Sequence, residues 1–436
     1  MTAKKTSPFR RGLHMGCLIL GGESIYLFAY DLRRDYTKPL LEALQVTNTE
    51  LGQLSSMFGI LALLCYFPGG WVADRFSARK LLAFSLLSTG ALGLGLQTFP
   101  VYPVLLGLYG LMGITSILTF WGALVKATRQ WGGRDDQGKA FGILDGGRGL
   151  VSALVASAAL WTFGGFDASV DGLRGVLALY IACCWTAALL VWFGVPEDDA
   201  NDDNDGDGET PPVGAAAATT SATTFGAVIR MPVVWLQAVI ILTAYAGYWG
   251  TFDVSGYAVD GFGKDDTDGA MVSTFAVWLR PPAAFAAGFL ADRLRASRVV
   301  AGSFGLLIAA YVSFAVVPPA PDREWLLWVN AAVAGIGSFA LRGVYFAILE
   351  EGNLPMRFTG TAVGIVSLIG FSPDVYVPPV SGYLIDNLGA TGHRVFFAGL
   401  AVTSALGATA ALLVPRFAQP RRVARPPAAA VHASTS

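Results

Sequence analysis

Charge is what this chain has least of. Only 14% of its 436 residues are Asp, Glu, Lys or Arg, and histidine occurs three times, whereas soluble domains carry roughly 25% charged residues. The net charge of −1 leaves no basic surface for nucleic acid. Cys17, Cys65, Cys183 and Cys184 all fall inside apolar stretches and read as small apolar fillers rather than disulfides or metal ligands. His14, His393 and His432 share no ligand spacing, so neither a metal nor any other cofactor is expected. A glycine-rich phosphate loop is missing too, which removes ATP-driven pumping, and no catalytic constellation points to an enzyme. Behind the basic start (Lys4, Lys5, Arg10, Arg11) no small-residue cleavage signal precedes the first apolar span, so a cleaved leader is not expected.

What the chain has instead is apolar length. Apolar residues make up 54%, and the mean hydropathy is +0.53. Stretches near the roughly 20 residues needed to cross a bilayer recur near 13–32, 50–72, 80–98, 102–126, 140–163, 173–195, 232–256, 269–291, 298–317, 325–349, 359–384 and 394–414. Helices are required, because a lipid-exposed open strand would leave backbone groups unpaired. The expectation is an all-α membrane protein with twelve transmembrane helices. Of the 30 Lys and Arg, the termini and the loops on their side hold 20 and the opposite loops 7. The richer side is cytoplasmic, which puts both termini inside and the protein in the cytoplasmic membrane. Arg33, Arg34 and Lys38 run against that trend, just beyond the first span.

The chain also repeats itself. Gly70-Trp-Val-Ala-Asp74-Arg75-Phe-Ser-Ala-Arg79-Lys80 is echoed by Gly288-Phe-Leu-Ala-Asp292-Arg293-Leu-Arg-Ala-Ser-Arg298. An offset of 222 maps Gly113-Ile-Thr-Ser onto Gly335-Ile-Gly-Ser, Gly138-Lys-Ala-Phe-Gly-Ile onto Gly360-Thr-Ala-Val-Gly-Ile, Tyr26 onto Tyr248 and Asp31 onto Asp253. Two parallel six-helix halves, pseudo-symmetric bundles over 1–196 and 231–415, follow from that duplication, with a site between them. Residues 197–230 form an acidic linker with eight carboxylates between Glu197 and Glu209, and 416–436 a basic, Pro/Ala-rich tail; disorder is expected in both. Asp203-Asn-Asp205-Gly-Asp207-Gly208 opens like a calcium loop, but position twelve is Gly214 where a bidentate Glu is needed.

The duplicated Gly-x-x-Ala-Asp-Arg phrase, at the second-to-third and eighth-to-ninth loops, resembles the signature loop of the major facilitator superfamily. With twelve spans and a long central loop, the resemblance covers the whole chain. It implies a latch in which the loop acid caps a helix end and pairs with cations, favouring an outward-open state. Here the latch residues would be Asp74, Arg75 and Arg79 in the first half, and Asp292, Arg293 and Arg298 in the second. Ser77, where the family prefers Gly, and one extra residue before Arg298 depart from the pattern. The fifth span lacks the Gly-Pro phrase of the superfamily's drug/proton antiporters. The exit of the first span through Tyr26, Tyr30, Arg33 and Arg34 is similar to its organic-anion and organophosphate branches, although Asp253 stands where those carry a seventh-span arginine.

Ionisable groups inside a bilayer are costly and mark function by default. Arg280, beside Trp278 and before Pro281-Pro282, is the leading candidate to clamp a carboxylate or phosphate bidentately. Arg148 can bind substrate or simply neutralise Asp145 three residues away, among Gly146, Gly147 and Gly149 that favour close packing. Arg342 can assist at the site, snorkel, or meet Glu350. Among the acids, Glu23, Asp145 and Asp253 are candidates to carry a coupling proton, with pairing to an arginine as the plainer reading. Asp31 and Asp253 read as near-interfacial, and Asp374 as part of a gating bend in Ser372-Pro373-Asp374-Val-Tyr376-Val-Pro378-Pro379. Tyr26 and Tyr248 are expected at the substrate because the repeat relates them; Tyr30, Trp121, Tyr245, Trp249 and Tyr345 lie on spans expected to border the cavity. The expected function is secondary active transport of a small polar, anionic metabolite by alternating access, with a coupling proton, by a single bundle working as a monomer. Two alternatives stand beside it: a proton-coupled exporter of hydrophobic or cationic compounds, and a transporter-like solute sensor.

Overall fold

A computed structural model describes residues 8–133, 137–166, 169–197, 227–351 and 359–417. The calcium-like stretch of the linker, most of the tail, and the side chains of Asp292 and Glu350 lie outside the described residues. The first half runs α1 (Pro8–Ser24), a π-helical turn (Leu27–Asp31), α2 (Leu32–Asp35), α3 (Thr37–Leu44), α4 (Asn48–Arg75), α5 (Ala78–Gln97) and α6 (Tyr102–Ile114). A second π-helical turn (Thr115–Trp121) leads into α7 (Gly122–Gly132), followed by α8 (Gln137–Gly165) and α9 (Val170–Gly194). The second half comprises α10 (Pro232–Gly250), α11 (Val254–Phe262), α12 (Asp266–Trp278), α13 (Arg280–Arg293), α14 (Ala296–Val316), α15 (Glu324–Val344), α16 (Ala347–Glu351), α17 (Thr359–Gly370), α18 (Pro373–Leu388) and α19 (Ala390–Phe417).

The expected twelve spans are found, but not all as single helices. Ten described segments are long and apolar enough to cross a membrane. An eleventh, α4, is bent by 59° at Pro68, where the ring removes a backbone donor and crowds the preceding turn. The twelfth is the pair α12 and α13, broken at Leu279 before Arg280-Pro281-Pro282. Neither piece, of 13 and 14 residues, crosses a bilayer alone; together they do.

Each half has its own aromatic core. Phe28, Tyr36, Tyr109, Phe163 and Tyr180 fill the first, and Tyr257, Phe304, Tyr311, Phe314 and Phe397 the second. Many large apolar residues remain outside, among them Trp161 and Phe193, each 82% exposed. On a twelve-span bundle that apolar coat is the lipid-facing surface.

Where the repeat places the two Tyr-x-x-x-x-Asp segments, both halves interrupt their first helix. In the first half the interruption is the Leu27–Asp31 π turn; in the second, α10 stops at Gly250 and α11 starts at Val254. An extra residue per turn re-aims side chains, and such bulges are common at functional sites. Asp31 and Asp253, expected near the interface, are buried at 6% and 8% exposure. The first span continues to Asp35, so Arg33 and Arg34 are buried within it and not beyond it.

Polar contacts between the halves gather at the end away from the termini. Asp386 of α18 accepts from Asn48 N, Asn48 Nδ2, Thr49 N and Thr49 Oγ1 at 3.0, 2.8, 2.8 and 2.6 Å, covering the free N–H groups at the start of α4. Lys38 meets Asp260 at 2.6 Å. Ser273 donates to Asp35 at 2.7 Å and Ser255 to the Asp35 carbonyl at 3.0 Å. Glycine permits the approach of α4 and α18: a Cβ on Gly52 would stand 2.5 Å from the Pro378 carbonyl, and one on Gly382 would stand 2.2 Å from that of Asn48.

Candidate functional site

Beneath that seal lies a cavity of about 280 Å3 between the halves. Glu23, Tyr26, Asp31, Asp145, Arg148, Tyr248, Arg280 and Arg342 all line it, which brings together most of the groups singled out from sequence. Asp145, near the start of α8 at the end that carries the termini, lines it with its side chain 53% exposed, so the cavity meets solvent on that side.

At the centre an ion cluster crosses from one half to the other. Arg280 Nη1 donates to Glu23 Oε1 at 2.8 Å. Arg148 Nε lies 3.3 Å from Glu23 Oε2, without the alignment of a hydrogen bond, and both atoms are left without another partner. Arg148 also stands 3.9 Å from Asp145 and 5.7 Å over the Tyr26 ring. One carboxylate thus answers two guanidiniums. Small residues make the room: a Cβ on Gly22 would meet Arg148 Cδ at 3.1 Å, and one on Gly149 would meet Arg280 Cγ at 3.3 Å. The glycines around Arg148 therefore act as packing devices and also serve the site.

Arg342 is held differently. Its guanidinium lies 4.2 Å over the Tyr248 ring and 6.0 Å from that of Tyr245, a cation–π arrangement. Among the described residues no carboxylate comes within ion-pair distance of it.

At the sealed end of the cavity stands Asp374, which the sequence suggests only as part of a bend. A two-residue turn at Phe371 and Ser372 separates α17 from α18 there, and the carboxylate is also a hub joining the halves. Tyr30 donates to Oδ2 at 3.0 Å from the first half, and from the second Trp249 donates to Oδ1 at 2.9 Å and Tyr245 to Oδ2 at 3.4 Å. Asp31 pairs with Arg34 at 2.6 Å, and Arg34 in turn with Asp35 at 2.8 Å.

Two expected site residues lie elsewhere. Trp278 does not line the cavity; it is 42% exposed, and its indole donates to Ser157 at 3.0 Å. Two residues apart, Trp278 and Arg280 do not share a face. Asp253 accepts from Ser381 at 2.7 Å and borders a separate water-sized pocket of about 10 Å3 with Arg33, Lys38 and His393. Tyr66 and Phe371 line the main cavity and were not singled out; no intramembrane charge or repeat pair marks them.

Among the described residues the expected first-half latch is not formed, and the acid of the second, Asp292, lies outside them. Asp74 is exposed and makes no ion pair among the described residues. Arg75 lies over Trp71 at 4.3 Å and Arg293 over Phe289 at 4.3 Å. Arg79 pairs with Glu197 at the start of the linker, and Arg298 is exposed. The absence of the first-half latch pair among the described residues agrees with a cavity open at the terminus-bearing end.

Fold, cavity and loop phrases together define a two-fold transporter, and sequence comparison identifies its family. The Major Facilitator Superfamily profile matches residues 15–376, and the chain belongs to that superfamily. It is 28% identical over 390 residues to the inner membrane protein YqcE of Escherichia coli K12, covering 88% of this chain and 89% of YqcE. It is 27% identical over 440 residues to YihN of the same organism, covering 97% and 98%. Among solved structures, a bacterial homologue of the human lysosomal transporter Spinster, inward-facing and unoccupied, superposes with TM-score 0.72 at 15% identity over 95% of this chain and 98% of that one. The nucleoside transporter NupG superposes with TM-score 0.68 at 17% identity over 92% and 98%. The protein is therefore a multi-pass membrane transporter that moves small molecules across a bilayer, not an enzyme.

Proposed function

We propose that this transporter is a secondary carrier of a small, polar, anionic metabolite, coupled to a proton and working by alternating access as a monomer. The observation that carries the reading is the Arg148–Glu23–Arg280 cluster, in which two cations from opposite halves share one internal acid. An incoming carboxylate or phosphate competes with Glu23 for Arg280. Protonation of Glu23 removes that competition and leaves both guanidiniums to the substrate, so proton and anion bind together. Asp145, with its side chain 53% exposed beside Arg148, is an acid that can exchange the proton with solvent, and Glu23 is the acid whose protonation frees the guanidiniums. With both termini cytoplasmic, a reading the Lys and Arg distribution supports, the cavity here opens to the cytoplasm and the Asp386 and Lys38 contacts seal the outside.

A cation exporter would need a cavity acid not already answered by an internal cation or donor, and Asp145 stands 3.9 Å from Arg148 while Glu23 is paired with Arg280. Asp374 is the one cavity acid ringed by aromatics, and both its oxygens are already engaged by Tyr30, Trp249 and Tyr245. The test is anion flux in proteoliposomes with and without a pH gradient, for wild type and Glu23→Gln. Gradient-driven accumulation by wild type is expected, with Glu23→Gln retaining exchange but losing accumulation. Accumulation by Glu23→Gln equal to wild type would remove Glu23 from coupling.

A further inference from the structure

The cavity also says which kind of anion it takes. We infer that the substrate is a polyhydroxylated anion, such as a sugar acid or sugar phosphate, and that Arg342 is its resident charge anchor. This rests on the anionic reading above and sharpens it.

Of the three cavity arginines, Arg148 and Arg280 are already committed to Glu23. Arg342 is committed only to an aromatic face, which leaves the edge of its guanidinium, and so its fork of donors, to a ligand. A charge-assisted pair in a partly dry cavity is strong, and here the ligand displaces no internal carboxylate. Anion capture therefore starts at Arg342, before the Glu23 cluster opens.

The second observation is an excess of hydroxyls. Tyr26, Tyr66, Tyr248 and Tyr345 all line the cavity, and none of their hydroxyls bonds to another described residue. They are not walled in either, unlike those of Tyr36, Tyr109 and Tyr180, which are buried without partners. Four phenol groups, each able to donate and accept, suit a ligand carrying several hydroxyls. An alkyl chain would leave them unpaired, which costs affinity in a site built for hydrogen bonding.

Three open-chain six-carbon probes separate the parts: D-gluconate (charge and hydroxyls), hexanoate (charge alone) and sorbitol (hydroxyls alone). Binding to purified wild type, Arg342→Gln, Arg342→Lys and Tyr345→Phe would be measured by thermal shift and calorimetry, with D-glucose 6-phosphate against hexyl phosphate as the phosphate pair. Gluconate or glucose 6-phosphate should bind at least about tenfold more tightly than its hydroxyl-free partner and than sorbitol. Arg342→Gln should lose about tenfold or more, a single strong charged contact, with Arg342→Lys in between. Tyr345→Phe should weaken the hydroxylated anion a few-fold and leave hexanoate unchanged. Hexanoate binding as tightly as gluconate would overturn the hydroxyl assignment while the anionic reading stands. Full gluconate affinity in Arg342→Gln, or no binding of any of these anions, would overturn the anchor. Response to lipophilic cations alone would sink the anionic reading itself.

Discussion

Asp386→Ala removes four hydrogen bonds that one carboxylate draws from the start of α4 across the gap between the halves. Such bonds contribute about 1.5–3 kcal/mol each when dry. Here the residue is exposed and all four share one acceptor, so the set is closer to a strong helix cap, about 2 kcal/mol. Because these contacts exist only while that end is closed, the loss falls on the closed state. About 2 kcal/mol is about a thirtyfold change in the ratio of the two conformations. Spin labels at Glu42 and Asn387, with the four native cysteines replaced, would report the spacing of the halves at that end. The expected result is a new long-distance population in Asp386→Ala, with Asp386→Asn intermediate because it keeps one acceptor oxygen without the charge. An unchanged distance distribution in Asp386→Ala would refute the view that this carboxylate holds the seal.

Three further outcomes follow from the geometry. Gly52→Val places a branched side chain where even a Cβ stands 2.5 Å from the Pro378 carbonyl; it should hold the sealed end open, seen as solvent labelling of a cysteine at Ser56 that wild type protects. Burial raises the Asp260 carboxyl, but hydrogen bonds from His393 and Lys38 outweigh it and hold that carboxyl below its usual range. A depressed acid contributes its stabilisation above its ordinary pKa and loses it as pH falls through the depressed value, so the Lys38–Asp260 bridge should persist from neutrality down to about pH 4; loss of its labelling protection between pH 7 and pH 5 would contradict this. Trp278→Phe should leave ligand affinity within about twofold of wild type, because the indole lies outside the cavity and an exposed neutral hydrogen bond contributes little; a tenfold loss by calorimetry would return Trp278 to the site.

The duplication was legible because a repeat needs only matching residues at a constant offset, and it pointed to Tyr26 and Tyr248, both in the cavity. Intramembrane charges were legible for a different reason: at mid-span an arginine or glutamate has few solvated alternatives, and Glu23, Arg148, Arg280 and Arg342 converge accordingly. What the sequence hides is the pairing between halves. Asp386 and Asp35 lie at helix ends, where acids are ordinary, and nothing local says that each reaches the other half. Asp374 sits among three prolines, which in the sequence suggest a bend and leave its place as a hydrogen-bonded hub unmarked. The Leu27–Asp31 π turn has no compositional signature, and neither does the continuation of the first span beyond it to Asp35, which takes in Arg33 and Arg34. Trp278 misled because nearness in sequence is not a shared face: residues two apart on a helix do not face each other, and its indole turns to Ser157.

The central claim, that the arginine–glutamate cluster receives an anion, is tested most directly by comparing thermal stabilisation of wild type and Arg280→Gln across small organic anions and lipophilic cations. The account predicts that at least one hydrophilic anion raises the melting temperature of wild type and loses that effect in a folded Arg280→Gln protein. Stabilisation by lipophilic cations alone, undiminished in Arg280→Gln, would contradict it.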